Sequence, residues 1–159
     1  MNKVKLATVW LDGCSGCHMS LLDMDAAIIQ LARKIDIVYG PLVDAQEFPE
    51  DVDVTLVEGA VVNEDNLRDL LRIRGRTTTL VAFGDCAVTG NVPALRNLFG
   101  VDDVLDRAYR ENAAVVAGVP RGDGIVPRLL DRVRRIQDVV PVDYYLPGCP
   151  PPPLLPATS

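Results

Sequence analysis

Short runs of apolar and β-branched residues recur along the chain and alternate with turn residues and helical patterns. We predict a strand from each of five runs, at residues 4–11, 35–39, 52–57, 77–83 and 142–146. Several of these runs are almost continuously apolar, which is typical of strands covered on both faces. The pattern therefore indicates a buried sheet.

Helical periodicity fills most of the intervals between these runs. Residues 19–33 predict a mostly apolar helix with two apolar faces, which indicates burial on more than one side. Asn63 is expected to cap a helix that carries three leucines, Leu67, Leu70 and Leu71. Residues 93–98 and 102–109 predict two short helices.

Pro127 predicts the start of a further helix, because proline suits the first helical position. The apolar stripe of this helix would consist of Val126, Leu129, Leu130, Val133 and Ile136. The opposite face would carry four arginines, Arg128, Arg132, Arg134 and Arg135. We interpret these arginines as a solvated face, with docking on a partner as the alternative.

Strands that alternate with helices indicate a parallel α/β sheet. No repeat, linker or low-complexity tract divides the sequence. We therefore expect residues 1–159 to form one domain with a flavodoxin-like, doubly wound parallel sheet.

Composition narrows the classes of function. The chain has 22 acidic and 16 basic residues and a formal net charge of -6, the opposite of the charge that nucleic-acid binding requires. No apolar run approaches the roughly 20 residues that span a bilayer. The first residues show neither a signal-peptide pattern nor twin arginines. We expect a cytoplasmic protein without a membrane span.

Four cysteines follow predicted strands. Cys14 and Cys17 come after the first strand, Cys86 after the strand that ends at Phe83, and Cys149 after the last strand. Because ligands of open α/β sheets bind beyond the carboxyl ends of the strands, we expect the four thiols to meet at one edge. Four glycines flank them and allow the backbone to approach a bulky group: Gly13, Gly16, Gly84 and Gly148.

Four interpretations of these cysteines remain open at this point. A [4Fe–4S] cluster needs four thiolates, and the count fits with none left over. A structural zinc ion needs the same four ligands but usually takes two closely spaced pairs. A C-x-x-C pair between a strand and a helix is also typical of dithiol oxidoreductases, although it leaves Cys86 and Cys149 unexplained. The last alternative is four small buried apolar side chains.

Four segments together resemble the small-subunit signature of [NiFe] hydrogenases. They are residues 10–17 (WLDGCSGC), 57–60 (VEGA), 84–87 (GDCA) and 146–151 (LPGCPP). Each piece alone is weakly specific, but the four occur in order over nearly the whole chain. The flavodoxin-like fold of that family agrees with the fold predicted from the alternation of elements.

The resemblance implies that Cys14, Cys17, Cys86 and Cys149 hold one proximal [4Fe–4S] cluster beside the nickel–iron centre of a separate large subunit. It further implies diaphorase subunits that carry FMN and Fe–S clusters and reduce NAD, so that this chain relays electrons. No G-x-G-x-x-G follows a strand in this sequence, and there is no P-loop. FMN on this chain is permitted by the fold but is not indicated.

The subtype follows from what the sequence lacks. Periplasmic relatives carry further cluster ligands and a twin-arginine signal, so the chain resembles the short small subunit of soluble, cytoplasmic, NAD-reducing hydrogenases. The related subunit of complex I has adjacent cysteines at its first ligand site, whereas Ser15 and Gly16 separate them here. Asp85 stands where the family commonly has threonine, and the chain stops soon after the proline-rich turn.

Other residues near the cysteines have competing interpretations. His18 is expected to make a capping or surface hydrogen bond, with tuning of the cluster as the alternative. Glu58 is either a surface carboxylate or, as the resemblance implies, a proton relay near the subunit boundary. Trp10 is expected to pack in the protein with some contact to the cluster. Residues 150–153 are expected to form a rigid, polyproline-like turn in which Pro150 fixes Cys149.

Overall fold

The computed structural model describes residues 3–112, 116–122 and 124–153. Its strands are β1 (Val4–Trp10), β2 (Ile35–Tyr39), β3 (Val52–Glu58), β4 (Val61–Asn63), β5 (Thr77–Phe83), β6 (Leu129–Arg134) and β7 (Tyr144–Leu146). Its α-helices are α1 (Gly16–Leu22), α2 (Ala26–Leu31), α3 (Glu64–Gly75), α4 (Asp85–Thr89) and α5 (Val101–Asp106). Two 3-10 segments, Val92–Leu98 and Ile136–Asp138, and a π-helical turn, Arg107–Glu111, complete the elements.

Five of the strands form a parallel sheet in the order β2-β1-β3-β5-β7. These are the five strands that the sequence predicts, with ends that differ by at most two residues. The order is that of flavodoxin-like folds, in which the crossover direction reverses between the first and third strands. The predicted fold class is confirmed. The reversal lies between β1 and β3, and it opens a crevice beyond the carboxyl ends of both.

The core lies on both faces of this sheet. Ala7, Val57 and Leu80 are fully buried in three neighbouring strands, and Leu70 of α3 is fully buried against them. The hydroxyls of Thr55 and Thr77 are 2.8 Å apart, so these buried polar groups satisfy each other. Burial on both faces explains why the central runs are almost continuously apolar.

Asn63 caps α3 as predicted. Its side-chain oxygen accepts a hydrogen bond of 2.8 Å from the backbone N–H of Asn66. Glu64 and Asp65 place negative charge in the first turn, and Arg72 and Arg74 place positive charge in the last, both favourable to the helix dipole. Leu70 is fully buried, whereas Leu71 is 53% exposed. The helix thus presents one narrow apolar face to the sheet.

Asn63→Ala is expected to lower the free energy of unfolding by about 1 kcal/mol, because a donor at the start of α3 loses its acceptor. Denaturant titration measures the loss. Asn63→Asp keeps an acceptor oxygen and is expected to stay within about 0.5 kcal/mol of the parent. Equal losses in the two variants would show that the cap does not stabilise the helix.

The single helix predicted at residues 19–33 is wrong, since the structure has two shorter helices there. Helix α1 ends at Leu22 and α2 begins at Ala26, and Asp25 between them has φ 49°. Aspartate favours a turn over a helix interior because its short polar side chain competes for backbone groups. The expected burial on two sides is also wrong: α2 has no buried residue, and Ile29 is 63% exposed.

The helix predicted to start at Pro127 is also wrong, because residues 129–134 form strand β6. This strand pairs antiparallel with β4, placing Leu129 opposite Asn63 and Arg134 opposite Val61. Val133 is buried beside Ala60 and Val62 in a small second cluster. Pairing with a strand distant in sequence overrides the local helical period. The four arginines of this region are exposed, as the solvated-face interpretation expects: Arg128, Arg132, Arg134 and Arg135.

The remaining predicted helices are present as short segments. The 3-10 segment Val92–Leu98 covers the first, and α5 with the π-helical turn covers the second. Across residues 3–112, 116–122 and 124–153, no helix has the length and apolar character needed to cross a membrane.

Candidate metal centre

Three turns beyond the carboxyl ends of β1, β5 and β7 deliver the four cysteines to one place. Cys14 and Cys17 lie in the turn from β1 into α1, Cys86 is the second residue of α4, and Cys149 follows β7. All four line a single cavity that opens to solvent. Other residues that the sequence singled out also line it: Gly13, Gly16, Glu58, Asp85, Gly148 and Pro150. The structure therefore brings this set together, as the strand-end argument predicts.

Glycine is required at two points of this cavity. Gly84 has φ 86°, and a Cβ there would collide with Sγ of Cys17. Gly148 has φ 135°, and a Cβ would lie 2.5 Å from Cα of Pro151. Any other residue would be strained in these conformations and would also displace a cysteine-bearing turn.

Asp85 ties the turn of Cys149 to the helix of Cys86. Its carboxylate accepts a 2.8 Å hydrogen bond from the backbone N–H of Gly148, and its own N–H donates to the carbonyl of Gly148 at 2.9 Å. The N–H of Gly84 donates to the carbonyl of Leu146 at 2.7 Å. Asp85 therefore serves as a clamp between the turns of two cysteines.

The turns after β1 and β3 are joined in a similar way. The backbone groups of Asp12 and Ala60 exchange two hydrogen bonds, of 3.1 and 2.8 Å. The turn of Cys14 and Cys17 is thereby fixed against the end of β3, which carries Glu58.

Glu58 is buried, with only 2% of its side chain exposed, so the surface-carboxylate alternative is wrong. Its Oε2 accepts a 2.7 Å hydrogen bond from the backbone N–H of His18 and lies 2.6 Å from Nδ1 of the same residue. The expected surface hydrogen bond of His18 is accordingly wrong, since its side chain is only 12% exposed. Nε2 of His18 is buried and has no hydrogen-bond partner within the described residues.

Trp10 does not pack in the core. It is 49% exposed, so the prediction that it packs in the protein is wrong, while its contact with a cluster stays a prediction. Its indole N–H donates a 3.0 Å hydrogen bond to the carbonyl of Gly13. Trp10, at the last position of β1, therefore stabilises the cysteine turn through this hydrogen bond. Its aromatic ring lies partly exposed on the protein surface.

The prolines after Cys149 fold back onto α1. Pro151 is buried, and its carbonyl accepts a hydrogen bond from the Ser20 hydroxyl. The Cys149–Pro150 peptide bond is cis. The expectation that Pro150 helps to fix Cys149 stays a prediction, with the anchored Pro151 in its favour.

Asn91 is a residue of the site that the sequence did not predict. It follows α4, and its side-chain Nδ2 lies 3.3 Å from Sγ of Cys149. The dipeptide Gly90-Asn91 is a turn signal, but a turn signal alone does not indicate where a side chain points.

Cys17 and Cys86 resist ionisation without a cation. Burial, followed by the negative charge of Glu58 and of the other three cysteines, raises the pKa of Cys17 to about 12. Burial and the neighbouring Cys149 are the largest causes that raise the pKa of Cys86. Four thiolates this close repel one another, so positive charge among them is needed to hold them deprotonated.

In the metal-free chain, alkylation of Cys17 at about pH 8 is expected to be at least about tenfold slower than in the urea-unfolded chain, because the thiolate is the nucleophile. The folded chain holds this proton more tightly than the unfolded chain. This difference stabilises the folded state. The stabilisation is fully present at pH values below the ordinary thiol pKa of 9.0 and is lost as the pH rises toward about 12. Mass spectrometry of timed alkylation measures the ratio, and equal rates would contradict the burial of this thiol.

No three His, Cys, Asp or Glu side chains in the described part of the chain are arranged to bind one metal ion. In a tetrahedral zinc site, four sulfurs lie about 2.3 Å from one ion. The cysteines share a cavity but are not gathered in that way. The same four cysteines are the candidate ligands in the zinc and the cluster interpretations.

A family model described as the NADH ubiquinone oxidoreductase 20 Kd subunit matches residues 14–155. The chain is 40% identical over 154 residues to the delta subunit of the NAD-reducing hydrogenase HoxS of Cupriavidus necator, covering 94% of this chain and 73% of the relative. It is 33% identical to the gamma subunit of the coenzyme F420 hydrogenase of Methanosarcina barkeri, covering 97% of this chain and 51% of that relative. The chain thus spans about half the length of this second relative.

Solved structures give the same result. A crystal structure of NAD+-reducing [NiFe]-hydrogenase in the H2-reduced state contains a chain that superposes with a TM-score of 0.90 at 39% identity, covering 95% of this chain and 85% of that one. A [NiFeSe]-hydrogenase of Dm. baculatum, with a TM-score of 0.60 at 20% identity, shares the fold; the match covers 96% of this chain and 59% of that one. The chain therefore belongs to the family of the NADH ubiquinone oxidoreductase 20 Kd subunit and, within it, is homologous to the small subunits of [NiFe] hydrogenases, which makes it a subunit of an oxidoreductase.

Proposed function

We propose that the chain is the electron-transfer small subunit of a cytoplasmic, NAD-reducing [NiFe] hydrogenase and holds one proximal [4Fe–4S] cluster through Cys14, Cys17, Cys86 and Cys149. The observation that carries this proposal is the single cavity that these four cysteines line, although they come from three separate turns. The 40% identity to a subunit of an NAD-reducing hydrogenase supports the subtype.

The donor set fits such a cluster. Each thiolate of a [4Fe–4S] cluster binds a different iron, so the four sulfurs need to surround a volume and not one point. The cavity has that form, and Gly16 leaves it open, since a Cβ there would lie only 3.3 Å from Sγ of Cys14. The raised pKa values of Cys17 and Cys86 fit thiols that ionise when they bind iron.

The protein residues determine what such a site can do. When bound, the cluster supplies one-electron storage at a potential that hydrogen bonds, charge and burial set. The Asp85–Gly148 clamp and the Asp12–Ala60 bridge hold the cysteine turns in fixed positions, which suits electron transfer because little needs to move. Cys14 and Cys149 are exposed, so the cavity faces the molecular surface, where a second subunit can approach.

We further propose that the carboxylate of Glu58 holds and passes on a proton. Its carboxylate is buried, lines the cavity and is bound to His18 through Oε2. Oε1 faces the Gly13 turn, 3.7 Å from the position of a Cβ on that glycine. A carboxylate held this way is able to accept a proton near the boundary with a large subunit.

The complete reaction would be H2 + NAD+ → NADH + H+, with the nickel–iron centre on a large subunit and FMN, further Fe–S clusters and the NAD site on diaphorase subunits. The HoxS relative is named as a subunit of an NAD-reducing hydrogenase, which supports these partners. A cytoplasmic location suits four free thiols, since that compartment keeps thiols reduced.

Anaerobic purification of the tagged full chain from its own cells tests the proposal. We expect a brown complex that contains a large polypeptide with two C-x-x-C motifs and subunits that carry flavin. A colourless monomer in which Cys14 and Cys17 form a reversible disulfide would contradict it and would favour dithiol exchange.

A further inference from the structure

The Asn91 side chain reaches the thiols of the candidate metal centre. Its Nδ2 donates to Sγ of Cys149 at 3.3 Å, within hydrogen-bonding range for sulfur. The amide therefore lies beside the thiol that the turn after β7 contributes.

The backbone of Asn91 is strained. It has φ 36° and ψ −132°, a combination that residues other than glycine rarely adopt. Its N–H donates to Thr89 Oγ1 at 3.3 Å, and its carbonyl accepts from the N–H of Ala94 at 3.1 Å. Glycine would take this conformation with less strain but would lack the amide that reaches Cys149.

We infer that Asn91 raises the reduction potential of the cluster by donating a hydrogen bond to the Cys149 thiolate. Reduction adds one electron and makes the sulfur ligands more negative. A hydrogen-bond donor therefore stabilises the reduced form more than the oxidised form. Asn91 is a positioning and tuning residue that acts through Cys149, and this inference rests on the proposed cluster.

The test compares the full chain, reconstituted anaerobically with iron and sulfide, with its Asn91→Gly and Asn91→Asp variants. Glycine removes the amide and relieves the backbone, while aspartate keeps the shape but replaces the donor by a carboxylate. We expect both variants to load as much iron as the parent. Their midpoint potential, titrated by electron paramagnetic resonance, is expected to fall by about 59 mV, equivalent to a tenfold shift in the one-electron equilibrium.

Asn97→Asp is the matched control, because Asn97 lies in the 3-10 segment that begins just after Asn91 and bonds elsewhere. Its Nδ2 donates to the carbonyl of Val133 at 2.9 Å, and its Oδ1 accepts from the N–H of Val133 at 2.7 Å. This variant makes the same change of charge and is expected to lower stability without moving the potential. The inference is supported if the midpoint potential falls in both Asn91 variants and stays at the parental value in Asn97→Asp.

Asn91 variants that load iron and titrate at the parental potential would overturn the inference. Loss of the cluster from Asn91→Gly would overturn it too, since the assignment is to tuning and not to retention. A parent chain that binds no iron would instead overturn the proposed function, and the inference with it.

Discussion

Cys86→Ser is expected to remove nearly all the bound iron, which should be about four iron and four sulfide per chain in the parent. In the proposed site, Cys86 supplies the ligand from α4, and a serine hydroxyl is a poor substitute for a soft thiolate. The loss is measured by iron and acid-labile sulfide analysis of the chain produced without its partner subunits and purified anaerobically, together with its visible spectrum.

Ser15→Ala provides the control. Ser15 lies between Cys14 and Cys17, makes no capping hydrogen bond with its side chain and does not line the cavity. This variant is expected to hold as much iron as the parent. Parental iron content in Cys86→Ser would show that Cys86 is not a ligand, and a dithiol function of Cys14 and Cys17 would become the better account.

Gly84→Ala is expected to lower the free energy of unfolding by about 2 kcal/mol or more and to reduce cluster loading at the same time. The positive φ of 86° strains any residue with a Cβ, and here that Cβ would also displace Sγ of Cys17. Denaturant titration of the metal-free chain measures the first effect, and iron content after reconstitution measures the second.

Gly75→Ala separates these effects from a general response to alanine. Gly75 ends α3, and a Cβ there would meet no atom within 4 Å. Stability is expected to stay the same or to rise by up to about 1 kcal/mol, because alanine is the better helix former. If Gly84→Ala matched Gly75→Ala in both measurements, the close approach of Gly84 to Cys17 would be wrong.

The sheet and the meeting of the four cysteines could be predicted from the sequence because both depend on strand ends. Each cysteine follows a strand, and parallel strands end at one edge, so their convergence needs no knowledge of loop conformation. The break at Asp25 was missed because the apolar residues on both sides fit one helical period. Only the backbone preference of aspartate argued for a turn there.

Contacts between distant segments explain the other errors. Strand β6 exists because β4, more than sixty positions earlier, offers a pairing edge, while its own residues fit a helix equally well. Glu58 is buried because α1 places His18 over it, a contact between residues 40 positions apart. Asn91 and Cys149 are 58 positions apart, and their hydrogen bond depends on the path of two turns. Local patterns carry no information about such pairs.

The most direct test of the central claim is Mössbauer spectroscopy of the full chain, produced without its partner subunits in cells grown on iron-57 and purified anaerobically, with parallel analysis of iron, sulfide and zinc. One [4Fe–4S] cluster per chain, which takes up a single electron on reduction, is the predicted result. A single zinc ion bound by the cysteines, or a chain that binds no metal, would contradict that claim.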